Sequence, residues 1–289
     1  MNRLNRQAGF TIIEVIVSII ILGIVSSLVV SVINRTVLNY HNLSERDKLS
    51  TAARIAIERI AREVRLALPN SVCTYNGVNC QSDSNKVYFI KTVDAGQYQD
   101  QSGTYTDPTV LKSPLPITPN SASEFDIISN GASNVTAGQW VTVYNINNTN
   151  IYTPGTNRQQ ISSVSSKDPD PATPNDDITV LRFATPVSFP LNSPNRRFQI
   201  TENKVTIFYL NTTNSNLYLA TTTNLLAPND ITDPTYNSFL LLENVTNLTF
   251  SYQAGSQHRS GLLRIDMTVE SADQESIQLI HEVHVANVP

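Results

Sequence analysis

Glu14 poses the first chemical problem in this chain. It sits in "GFTIIEVIVSIIILGIVSSLVV", near the start of an apolar run. A carboxylate in a membrane helix costs about 2.5–3.5 kcal/mol on insertion scales, and such groups pair or do work. No Lys or Arg occurs between positions 11 and 34, so this helix holds no partner for it. Cys73 and Cys80, with six residues between them, are the only thiols. An even pair in a chain that leaves the cytosol suggests a disulfide; two free thiols are the alternative. Their spacing, with no nearby His pair, does not suit zinc. His281 and His284 in "HEVH" lie three apart on an expected strand, so they point to opposite faces. That is not the helical HExxH arrangement. His258 stands with Arg259 and Ser260 in a turn. Asp168, Asp170, Asp176 and Asp177 in "DPDPATPNDD" offer oxygen ligands of the kind calcium takes. The EF-hand glycine and glutamate are missing, and the segment reads as a solvated acidic loop stiffened by prolines. With no G-x-S-x-G and no Gly-rich phosphate loop, we expect no enzyme, no metal and no cofactor.

The elements around these residues come next. Arg3 and Arg6 precede the apolar run, and residues 15–30 are apolar except for Ser18, Ser26 and Ser27. The run is long enough to cross a bilayer as a helix. The basic start should stay cytoplasmic and place the bulk of the chain outside. A secretory signal would have a shorter core and an A-x-A-like site after it. From Ser44 the pattern becomes amphipathic, with Leu49, Ala53, Ala56, Ile60, Val64 and Ala67 recurring at three- and four-residue steps. Arg54–Glu58, Glu58–Arg62 and Arg59–Glu63 can pair across turns. Pro69 ends the run. Residues 10–67 therefore read as one helix of roughly 87 Å, with 10–33 in the membrane.

After Pro69 the period switches to two. "KVYFIKT", "EFDIISN", "QWVTVYNI" and "DITVLRF" read as short strands between polar connections. Later segments alternate better. Val205, Ile207 and Tyr209 share a face, as do Leu248, Phe250 and Tyr252. In "LLRIDMTVE", Leu263, Ile265, Met267 and Val269 face in. Ile277, Leu279, Val283 and Val285 share the last strand's face. A long helix followed by strands predicts an α+β fold with antiparallel sheet, residues 68–289 forming one β-rich domain. The 289 residues carry a net charge of −4, with 15% charged residues and abundant Asn, Thr and Ser. That balance suits an extracytoplasmic β-rich protein and implies no nucleic-acid partner.

"GFTIIEVIVSIIILG" resembles the N-terminus of type IV pilins and type II secretion pseudopilins. The resemblance implies that residues 1–9 are a leader. A prepilin peptidase would cut after Gly9 and leave an N-methylated Phe10. Glu14 would then meet the new α-ammonium of a neighbouring subunit. One departure is Ser31, near where many major pilins carry a proline. The segments "FSYQAG", "RSGLLRIDMTV" and "HEVHVANVP" resemble J-type pseudopilins and PilW-like minor pilins. More narrowly, they resemble the O-type minor pilins of mannose-sensitive haemagglutinin (MSHA) pili. This implies a minor pilin that primes or caps a pilus. Its partners would be other minor and major pilins, the prepilin peptidase and the inner-membrane assembly platform. It would reside in the inner membrane and then in the fibre. The alternatives are a J-type pseudopilin of a type II secretion system and a tip adhesin using loops 94–120 and 165–176 as its contact surface.

Overall fold

The computed structural model describes residues 11–74, 80, 83–128, 134–146, 151–152, 157–173, 177–226, 228, 233–255, 259–271 and 274–285. One helix, α1 (Ile12–Arg65), spans 54 residues, about 81 Å. Thr11 caps it: its Oγ1 accepts from the Glu14 N–H at 3.4 Å and its carbonyl accepts at 3.1 Å. The expected start at Phe10 lies outside the described residues. The helix ends two residues before the expected Ala67, because Leu68 N donates to Ile90 O and Thr92 N to Leu66 O. The chain thus passes directly from helix to sheet ahead of Pro69. Asn70, at φ 59°, makes the turn. Its Nδ2 donates to Asn145 O, and Asn145 Nδ2 donates back to Pro69 O, both at 2.7 Å.

The strands are β1 (Cys73–Thr74), β2 (Lys86–Gln97), β3 (Gly103–Thr104), β4 (Leu111–Lys112), β5 (Ala122–Ile127), β6 (Trp140–Val143), β7 (Arg158–Gln160) and β8 (Ser163–Lys167). They continue as β9 (Ile178–Val187), β10 (Arg197–Asn211), β11 (Asn216–Thr222), β12 (Asn237–Leu242), β13 (Val245–Gln253), β14 (Gly261–Glu270) and β15 (Ser276–Val285). The arrangement is α+β: one long, partly apolar helix, then antiparallel sheets. The largest runs β1-β2-β10-β11-β12, with β6 attached to β10 and β7 to β6; β13-β14-β15 and β5-β9-β8 form two more.

The long strands β2 and β10 form a spine shared by two cores. Register breaks around Thr201 divide β10. Its C-terminal part pairs with β11, and its N-terminal part with β6. In the first core, Ala53, Ala56, Ile60 and Val64 of α1 meet Phe89, Phe208, Phe250, Ile265 and Val283. The alanines on this stripe let the helix axis approach the sheets. In β14, Leu263, Ile265, Met267 and Val269 are all fully buried, as the alternation predicts. The second core is aromatic. Phe125 stacks on Phe183 at 5.9 Å and meets Phe189, Phe198 and Tyr98 edge-on.

The two stretches expected as open loops are partly built into sheet. Residues 94–97 finish β2, β3 and β4 form a ribbon, and Lys167 ends β8. Lys167 Nζ donates to Asp126 at 2.9 Å and to Ser113 Oγ at 2.6 Å, and pairs with Glu124 at 3.1 Å. Tyr105 donates to the same fully buried Asp126. Burial pushes the Glu124 carboxyl up, but hydrogen bonds from Lys167 and Ser113 outweigh it and hold the group below its usual value. A salt-bridged base therefore ties the first of these stretches to the distal sheet.

Candidate functional site

The N-terminal half of α1 is chemically unusual because none of the described residues covers it. Residues 11–43 are exposed throughout, including Ile12 at 82% and Leu22 at 70%. Ile, Val and Leu dominate here. β-Branched residues are poor helix formers in water, but in hydrocarbon a helix satisfies every backbone group internally. The hydroxyls in the run follow the same rule. Ser18 donates to Glu14 O at 2.6 Å, Ser27 to Ile24 O at 2.8 Å and Thr36 to Val32 O at 2.9 Å. These three hydroxyls are absorbed by the helix's own carbonyls. The helix continues through Ser31 without interruption. Among the described residues this is one helix long and apolar enough to cross a membrane, by length and composition.

Glu14 lies in the first turn, where its charge favours the positive end of the helix dipole. Its side chain is exposed, and among the described residues no Lys or Arg pairs with it. Gly9 and Phe10 lie outside the described residues. Residues 4–30 match the family model described as the prokaryotic N-terminal methylation motif. The match covers the N-terminal segment alone and supports a type IV pilin-like reading of it. The matched segment holds Gly9, Phe10 and Glu14 together. Comparison with curated proteins and with solved structures gives no match.

The C-terminal half of α1 is held differently. Glu63, 7% exposed, accepts from Arg59 Nε at 2.9 Å and pairs with Lys91 on β2. The sequence offers Arg59 by its spacing. Lys91 comes from another element and has no local signal. Beside this half, a cleft of about 700 Å³ is lined by Ile55, Arg59, Arg62, Leu241 and His281, among others. It lies between α1 and the outer strands β12 and β15 of two different sheets. Phe239, Leu240 and Ile280 on those strands are exposed.

The remaining candidates are placed as follows. A disulfide joins Cys73 and Cys80, with Cα atoms 4.9 Å apart, and Cys73 is fully buried opposite Tyr88. His281 shares the inward-facing side of β15 with Val283, while His284 points outward. His258 and Asp176 lie outside the described residues. Asp168 and Asp170 accept from their own loop, from Asp170 N at 3.1 Å and Ala172 N at 3.0 Å. Asp177 is exposed. Among the described residues no group of three or more His, Cys, Asp or Glu gathers to hold a metal.

Proposed function

We propose that this protein is a minor pilin that primes or caps a type IV pilus of the MSHA kind, and that it works without catalysis. A prepilin peptidase removes residues 1–9 after Gly9, and Phe10 becomes the methylated N-terminus. Residues 10–33 hold the chain in the inner membrane, with the β-rich domain of residues 68–289 outside, until a fibre takes the subunit up. Glu14 then pairs with the α-ammonium of a neighbouring pilin. Cleavage itself creates that cation, which is why residues 11–34 supply none.

The carrying observation is the first half of α1: fully uncovered, apolar, and holding one carboxylate without a cationic partner among the described residues. A lipid phase followed by a fibre core would cover the apolar surface, and a neighbour's amino terminus would neutralise the acid. The methylation motif over residues 4–30 supports the processing step. The open edges of β12 and β15 beside the cleft support lateral contact with partner pilins. N-terminal mass spectrometry tests the reading: a mature chain starting at methyl-Phe10 is expected, and a chain retaining Gly9 would rule it out. The neighbouring genes separate a pilus operon from a type II secretion operon, where the same fold would act as a J-type pseudopilin.

A further inference from the structure

A strip of buried polar side chains on β6, β7 and β10 is not used by the function proposed above. Arg158 lies opposite Thr142, and Thr142 opposite Gln199. Opposed residues in antiparallel strands share a face, so these three form a row. Trp140, two residues before Thr142, is on that face too, and its ring lies 4.4 Å from the Arg158 guanidinium. Arg158 and Thr142 are fully buried and Gln199 is 6% exposed. The reverse face carries Val141, Val143, Phe198 and Ile200 of the aromatic core.

Arg158 is only half satisfied. Its Nη2 donates to Glu202 O and Asn203 Oδ1, both at 3.1 Å. Among the described residues its Nε and Nη1 have no hydrogen-bond partner, nor do Trp140 Nε1, Thr142 Oγ1 and Gln199 Oε1. Among the described residues no carboxylate pairs with it; the nearby Glu202 carboxylate pairs with Lys204. Residues 127–167, which include both β6 and β7, contain no Asp or Glu at all. Burial lowers the guanidinium pKa to about 10, so the group remains charged at neutral pH. A buried cation left without a counter-charge is strongly destabilising.

The unpartnered atoms also indicate what would satisfy them. Arg158 Nε, Arg158 Nη1 and Trp140 Nε1 only donate, and the Thr142 hydroxyl can rotate to donate. Gln199 Oε1 alone requires a donor. Such a donor-rich set suits an anion better than water, which offers as many donors as it accepts. Full burial of Arg158 also denies access to a side chain from another protein and limits the ligand's size. We infer that Arg158, Trp140 and Thr142 form a binding site for a small monovalent anion, a carboxylate or a halide.

Trp140 is the single tryptophan in the chain, so its fluorescence reports on this cluster alone. Full-length protein in detergent micelles is titrated with acetate, formate or chloride, each replacing a bulky sulfonate at constant ionic strength. A saturable change in Trp140 emission, with a matching rise in Tm, is expected for at least one small anion. Response to acetate and formate alone identifies a carboxylate site, and response to chloride alone a halide site. Arg158→Met should abolish the response. Thr142→Val, which removes one hydrogen bond, should weaken apparent affinity roughly 2- to 10-fold. Identical wild-type emission and Tm in all four salts would overturn the inference without any variant. So would a response that persists unchanged in Arg158→Met.

Discussion

The two halves of α1 share one backbone and differ in what covers their side chains. From Ala53 onward the inner stripe is buried, with Ile60 and Val64 fully enclosed by apolar residues of two sheets. Through residue 43 everything is exposed. The halves handle charge differently as well. Glu63 is gripped by Arg59 and Lys91 of its own chain, whereas Glu14 finds no such partner among the described residues. A single chain completes the second half. On the function proposed above, other molecules complete the first half, lipid first and then other subunits.

The sharpest way to break this contrast is at the two acids. Glu14→Ala should reduce assembled pili to near background while cleavage after Gly9 continues, as read by sheared-fibre yield and by mass spectrometry of the N-terminus. Unchanged piliation would remove the pairing role from Glu14. The next largest effect concerns packing. Ile60→Ala should cost about 2–5 kcal/mol in denaturant unfolding of the full chain in micelles. Leu22→Ala, on the uncovered half, should stay within about 0.5 kcal/mol. Comparable losses at both positions would mean that the first half packs on its own domain.

Smaller effects test the region beyond the helix. Replacing Cys73 and Cys80 with serine should cost about 2.5 kcal/mol, from the short loop they close. Tm measured with and without reductant gives a second reading. The weakest effect expected is that of pH on Glu124. Its carboxyl titrates below its ordinary value in the folded state, so the unfolded chain takes up a proton first as pH falls. The stability it contributes is complete above that value and is lost as pH drops through the depressed folded one. The Tm advantage of wild type over Glu124→Gln should therefore shrink on acidification below about pH 4.5. A gap that is constant down to strong acid would show that Lys167 does not hold the group.

Legibility in the sequence tracked how local the physics was. The amphipathic stripe of α1 and the alternation of β14 were readable because each is a one-dimensional pattern with one buried face. Strand β10 was readable in part. Val205, Ile207 and Tyr209 share a face as expected, but Phe208 and Leu210 are buried on the other, since the strand is covered on both sides. Strands β7 and β8, "RQQ" and "SVSSK", carry no apolar alternation. They are strands because β6 and β9 lie alongside them. The strand expected over "QWVTVYNI" stops at Val143, where Tyr144 adopts φ 48°. The site followed the same division. Glu14 stands out by its neighbours in sequence, while Lys91 and Arg158 look like ordinary surface cations until the sheet encloses them.

The sequence by itself determined the anchor, the acid within it and the switch from helix to strands. Composition and spacing are enough where lipid or one apolar face sets the pattern. Only the tertiary structure decided that β2 and β10 serve two cores, that Lys91 reaches Glu63, and that Arg158 is sealed over Trp140 with no carboxylate beside it among the described residues. Those outcomes depend on register between strands far apart in the chain, and register is a property of pairs that no single segment carries.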